Sequence, residues 1–405
     1  VSEPWDETLE DEIRQSAPHI FEVKVYGPTG SVNFGPRIPL DVISCEITYD
    51  VTWSPYVQGT LTAVMPDPAT MAKLDPRKVI TVQVSAGYVR PGGRRDLRPM
   101  CTHAFVSHRT ANYPANTVTL QFQGMEYLVD RVSAFSPSDS PQAQDEGQPY
   151  WTPATTVYQA IESVLLYTEI SSRVPSNPTA YELGTDTFTG WVPAGETWAG
   201  QAGDNSLDVA REIADRNSLL FYADELGVWH VDYQLHLDDP VHSLRDGADG
   251  TIVQADDELS REGWANVVQV TYVWNTVSAT TAGRTDLVTH QATAQAYLGD
   301  GPLSVETVGA CPIQINRQMP SSNSLARTVA VDLLRRYSAR GTAMQVEAVA
   351  AYWLRARDFV TVQLPNRQTP ATSVEQIIQA ITYDLGAGLM RMRLVQPEPG
   401  NIQAL

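Results

Sequence analysis

The chain is short of cysteine, of basic residues and of long apolar runs, and each shortage removes a class of proteins. Only 3 of its 405 residues are cysteine, Cys45, Cys101 and Cys311, far apart and without a CxxC pair. That argues against a disulfide framework and a thiolate zinc site, and leaves reduced, mostly buried small side chains as their expected role. No apolar run reaches the roughly 18 residues that a membrane-crossing helix needs. The first residues, Val1 to Gln15, are acidic where a secretion signal would be basic and then apolar. The expectation is a soluble, unexported chain with no membrane insertion. Lys and Arg number 28 against 47 Asp and Glu, a formal net charge of −19. This is the wrong sign for gripping a phosphate backbone and disfavours tight nucleic-acid binding. A wall past which DNA slides would gain from the same repulsion.

Catalytic and metal signatures are scarce too. There is no GxSxG nucleophile elbow and no metallopeptidase histidine pattern. Cys101, His103 and His108 invite a zinc reading, but strand alternation puts 101 and 103 on one face and 108 on the other, so polar strand residues are expected. His230, His236 and His242 lie near Asp232, Asp238 and Asp239 with no helical ligand spacing, and read as solvated hairpin and loop residues. Asp246-Gly-Ala-Asp-Gly and Asp256-Asp257-Glu258 gather carboxylates without the alternating pattern of a calcium loop, and read as acidic surface turns. Arg94-Arg95 and Arg335-Arg336 are tight basic pairs beside many acids, suited to an electrostatic subunit contact. The 9 tryptophans, among them Trp5, Trp53, Trp151, Trp191, Trp198 and Trp353, suit core and interface packing. No catalytic, cofactor-binding or metal-binding residue is assigned, no cofactor is expected, and the chain is read as a non-enzyme.

What is present is β pattern. Strand-like runs at Phe21–Tyr26, Gln58–Val64, Val79–Ser85, Ala104–His108 and Thr117–Gln123 are punctuated by Gly27-Pro28, Pro66-Asp67-Pro68, Pro91-Gly92-Gly93 and Pro114-Ala115-Asn116. That spacing predicts a small barrel or sandwich. The polar, Pro-bearing stretch from Ser133 to Gln148 marks a boundary or exposed loop. A helix is expected after it, capped by Thr152, with Val157, Ile161, Val164 and Leu165 on one face. A second starts at Ser206 and ends near Asn217, and Leu219–Tyr233 then reads as a hairpin turning at Asp224–Gly227. After an acidic loop, Asp238–Asp257, the run Asn266–Val273 pairs with Val288–Ala296 across Thr280–Thr285. Ser324–Ala339 forms a helix with Leu325, Val329, Leu333 and Arg336 on one side and its arginines solvated. Gln345–Tyr352, Phe359–Leu364, Val374–Asp384 and Met390–Gln396 close the chain as strands.

The fold class is thus a β-rich α+β chain, two β-barrel-like bodies around a helix–hairpin middle. Its divisions are an N-terminal arm at 1–20, a barrel-like domain at 21–135, an α+β middle at 136–300 and a helix plus barrel-like domain at 301–405.

Three segments resemble the hub proteins of bacteriophage tail tips, both siphophage minor tail proteins and the baseplate hubs of contractile tails. Ile47-Thr-Tyr-Asp-Val-Thr-Trp, Gly59-Thr-Leu-Thr-Ala-Val, Lys78-Val-Ile-Thr-Val-Gln-Val and Val118–Asp130 look like the family's opening barrel, ending in its "G-x-[DE]-x-L-x-D". Ser206–Trp229 resembles its helix and hairpin, with Asn217 where Gly is usual. Asn266-Val-Val-Gln-Val-Thr-Tyr, the helix at Ser324–Ala339 and Ala356-Arg-Asp-Phe-Val-Thr-Val resemble its late part, with Arg357 in place of Gly. The resemblance implies a virion protein made in the host bacterial cytoplasm, a homotrimeric ring that continues the tail tube or distal tail protein. It also implies contacts to tip, tape-measure or receptor-binding proteins, and a channel through which DNA passes unbound. A glycan- or cell-wall-degrading enzyme and a glycan-binding adhesin are the competing readings.

Overall fold

The computed structural model describes residues 17–28, 35–130, 161, 205–216, 219–233, 240–246, 250–259, 261–279, 285–317, 323–339, 342–364, 373–396 and 402–405. Among these the chain is β-rich with few helices. Its strands are β1 His19–Tyr26, β2 Arg37–Ile38, β3 Val42–Asp50, β4 Val57–Val64, β5 Thr81–Arg90, β6 Arg94–Asn112, β7 Thr117–Gln123, β8 Leu219–Ala223, β9 Trp229–Tyr233 and β10 His242–Arg245. They continue with β11 Ile252–Leu259, β12 Val267–Ala279, β13 Thr285–Leu298, β14 Pro312–Arg317, β15 Thr342–Val349, β16 Phe359–Gln363, β17 Val374–Asp384, β18 Leu389–Val395 and β19 Ile402–Ala404. The helices are α1 Pro68–Lys73, α2 Glu126–Asp130, α3 Ser206–Arg216, α4 Val305–Val308 and α5 Asn323–Ala339.

The five early strand runs fall on β1, β4, β5, β6 and β7, where β-branched residues alternate with polar ones and bury one face. They do not stand as a separate sheet. The order β11-β15-β18-β17-β3-β4-β7-β6-β5-β1-β2, with β16 on β17 and β10 on β16, makes one 13-stranded sheet. Its early and late parts meet where β17 pairs antiparallel with β3, Ala380 opposite Asp50 and Asp384 opposite Glu46. One hydrophobic core follows that continuity, running from Val25, Ile47 and Val84 to Val346, Ile381 and Leu394.

Gly59 on β4 shows how tightly that sheet is packed. A methyl group there would overlap the Phe122 ring and the Glu46 carbonyl oxygen. Gly59→Ala is therefore expected to cost about 1–3 kcal/mol by overpacking, read as a lowered urea midpoint.

The expected pairing of Asn266–Val273 with Val288–Ala296 forms as the long antiparallel β12–β13 hairpin, Val267 opposite Tyr297, with β14 and β19 on its flanks. Helix α5 lies on this second sheet, but its buried side is Ala326, Val329, Ala330, Leu333 and Leu334, rotated from the stripe expected through Leu325 and Arg336. Small Ala side chains let the helix approach, so Arg335 and Arg336 end half-buried rather than solvated. The expected acidic loop, Asp238–Asp257, also differs. It contains β10, held parallel to β16, and β11, an edge strand that carries Asp256, Asp257 and Glu258 exposed. The backbone ladder stabilises these segments where side-chain pattern gave no signal. Of the helix expected after Thr152, Ile161 is described and is helical and buried; the rest of it, the Thr280–Thr285 turn apart from Thr285, Asn217 and the tryptophans at 5, 151, 191 and 198 lie outside the described residues.

Candidate functional site

Helix α3 and the β8–β9 hairpin sit at the meeting of the early and late strands, and two ionic clamps, one fully and one partly buried, hold them. The first is Glu126, at the acidic position of the quoted motif. It is fully buried. Its carboxylate accepts from the Tyr56 amide at 3.1 Å, the Ala223 amide at 2.9 Å and Arg211 Nη2 at 2.7 Å. One side chain thus ties the β3–β4 turn, β8 and α3 together. Burial pushes its pKa up to about 7, with Arg211 and the two amides pulling the other way.

The second clamp holds the hairpin turn. Asp224 shapes it by accepting from the Leu226 and Val228 amides, and Gly227 supplies a φ of 80°. Glu225 then pairs with the Nε of Arg355, whose Nη1 donates to both the Tyr352 and the Leu354 carbonyl, each at 2.8 Å. The same guanidinium lies 5.0 Å from the Tyr49 ring centre. On the other side the Thr102 amide donates to the Glu225 carbonyl at 2.9 Å, and His103 meets the Leu226 carbonyl at 3.1 Å. A tyrosine layer backs the joint. Tyr49 donates to the Met100 carbonyl, Tyr88 to that of Ala350 and Tyr383 to those of Ala351 and Leu354. Burial holds these three phenols well above the ordinary range, so they stay neutral donors.

Arg357 occupies the position where the motif comparison expected glycine, and its φ is 84°, the left-handed side that glycine tolerates best. Its Nη1 donates to the Tyr222 hydroxyl at 2.8 Å and its guanidinium lies 5.5 Å from that ring centre. These contacts offset the backbone strain. Arg357→Gly, which removes both, is expected to stay within about 1 kcal/mol of the parent, whereas Arg357→Ala keeps the strain, loses the contacts and costs about 1–2 kcal/mol. Urea denaturation of the two variants gives the order.

Beside the hairpin opens a cavity of about 430 Å³. Its charged lining is Arg211 from α3, Arg335 and Arg336 from α5, Arg357, Arg393 from β18, and a single carboxylate, Asp215. Trp53, Tyr56, Phe221 and Tyr222 supply aromatic walls and Ile377 and Ile378 aliphatic ones.

Cys101 is buried, His103 sits under the hairpin turn and His108 is exposed, so they are not brought together. Cys45 is buried too, its thiol pushed up to about 12 by burial. His230 bonds Asp224 at 2.9 Å and stacks on Tyr222. His242 is buried against the edge of Trp353 instead of solvated, because β10 is drawn into the large sheet. His236, Asp238 and Asp239 lie outside the described residues. Arg94 and Arg95 are exposed at the β5–β6 turn, where Gly92 and Gly93 take positive φ. Glu225, Arg355 and Arg393 went unremarked in the sequence. The available signal was an Arg inside the apolar run Ala350–Leu354-Arg-Ala and a Glu in a two-sided hairpin turn.

No family model matches the chain, and no curated protein matches it. Solved structures do. A tail protein from Neisseria meningitidis MC58 superposes with a TM-score of 0.58 at 12% identity, covering 93% of this chain and 96% of its own. The 43 kDa tail protein of prophage MuSo2 from Shewanella oneidensis gives 0.58 at 14% identity, with 93% and 99% covered. Prophage tail protein gp18 from Listeria monocytogenes EGD-e gives 0.50 at 10%, with 94% and 95% covered. The chain therefore has, over most of its length, the fold of phage tail proteins.

Proposed function

We propose that the chain is a structural, non-enzymatic subunit of a phage tail tip, a hub that assembles with copies of itself into a ring joining the tail tube to the tip or receptor-binding proteins. The observation that carries this reading is the match of nearly the whole chain to tail proteins whose own chains are covered almost completely. The ring is threefold in the proposal, as the resemblance implies, with heterologous contacts between neighbours. DNA passes through it without specific binding, repelled by the net charge of −19. The division at residues 20, 135 and 300 is part of the same proposal. None of the described helices is long and apolar enough to cross a membrane.

The test is the mass of the purified chain by light scattering, alone and with tail-tube protein, beside negative-stain images. A trimer or ring with a central hole is expected. A monomer indifferent to tail proteins, or one that turns over a cell-wall polysaccharide, overturns the reading.

A further inference from the structure

We propose that the arginine-lined cavity receives the acidic first segment of a second copy of this chain, with Trp5 entering the apolar part and its flanking carboxylates meeting the guanidiniums. The inference rests on the self-assembly reading above and adds the site through which copies engage.

The cavity is a local inversion of the molecule's charge. Five arginines line it against one carboxylate, in a chain whose acids outnumber its bases by 47 to 28. Arg211 pairs with Glu126 at 2.7 Å and Arg335 with Asp332 at 3.6 Å. Arg357 bonds a neutral phenol, and exposed Arg393 has no carboxylate partner among the described residues. A partly enclosed, low-dielectric cavity concentrates that positive field, and the ligand it favours is an anion.

A small inorganic anion would use only half of the lining. Trp53, Tyr56, Phe221, Ile377 and Ile378 call for an apolar body joined to the charge, and about 430 Å³ is within the size range of sites for such a body. The net charge of −19 disfavours nucleic acid. The segment Val1–Ser16 carries both required elements. Glu3, Asp6 and Glu7 surround Trp5, Glu10, Asp11 and Glu12 follow, and Arg14 is its single basic side chain. Aromatic anchors ringed by charge complementarity are the usual energetic centre of a protein contact.

The test is fluorescence anisotropy of a labelled Val1–Ser16 peptide titrated with the full chain. Saturable binding that weakens with added salt is expected. Arg393→Glu, on an exposed strand position that the fold does not use, should weaken it by about tenfold or more. Peptides carrying Trp5→Ala, or Glu3→Gln with Asp6→Asn and Glu7→Gln, should lose a similar factor without any risk to the fold. Equal binding of the neutralised peptide, displacement by millimolar inorganic phosphate, or tighter binding of a single-stranded oligonucleotide overturns the proposal. An oligomer whose mass in light scattering is unchanged by Arg393→Glu and by Trp5→Ala in the full chain sinks the pocket and leaves the ring. A monomer that binds it sinks the ring and leaves the pocket.

Discussion

Replacing Glu126 with alanine is expected to destabilise the chain by about 3–5 kcal/mol, the cost of breaking a buried ionic contact on one side. The truncation leaves the Tyr56 and Ala223 amides without their acceptor and Arg211 without its counter-charge. Urea denaturation should show this as a lower midpoint, with loss of protection in α3 and β8 by hydrogen exchange. A change below about 1 kcal/mol would mean that the three donors find other partners. Glu126→Gln keeps one acceptor oxygen and should lose less. The pH dependence has a definite sign. With its pKa raised from 4.5 to about 7 in the fold, the folded state holds a proton that the unfolded chain has released. The associated stability is complete below pH 4.5 and is lost as the pH rises through about 7. The parent should therefore lose stability relative to Glu126→Gln from pH 5 to pH 8, by up to about 3 kcal/mol. A parent that gains on the variant over that range would show that the three donors outweigh burial.

Arg355→Ala is expected to cost a comparable amount, about 3–5 kcal/mol, because it strands Glu225 and removes the donor to two carbonyls and the cation over Tyr49. Its structural consequence is different. The hairpin turn stays attached to β6 through Thr102 and His103 but loses its hold on the Tyr352–Asp358 segment. Limited proteolysis should then cut near residues 224–228 faster than in the parent. Arg355→Lys restores the charge but not the fork, and should recover only part of the loss. In a double-mutant cycle with Glu225→Gln, a coupling energy near zero would show that the pair contributes nothing beyond packing.

Much of the fold was legible in local pattern. The Ser206–Arg216 helix, the hairpin turning at Asp224–Gly227 and the pairing of β12 with β13 all follow from periodicity and turn chemistry acting over a few residues. The glycine-like backbone at Arg357 also showed itself as a departure from a motif, and its φ of 84° confirms the cause. The two clamps were not legible, since a buried Glu and an exposed one look alike in sequence until the groups that cover them are known.

By itself the sequence determined the β-rich class, many of the strands, helices α3 and α5, the scarcity of thiols and the acidic balance, because each depends on composition or on neighbours close along the chain. Only the tertiary structure decided that β3 and β17 share one sheet, that Glu126 and Arg355 lie at the joint, and that arginines from α3, α5, β18 and the Arg357 loop converge on one cavity. Those positions lie up to 182 residues apart, Arg211 to Arg393, and they meet through the pairing of distant strands and the rotation of α5 on its sheet. Packing sets both, and no local periodicity encodes either.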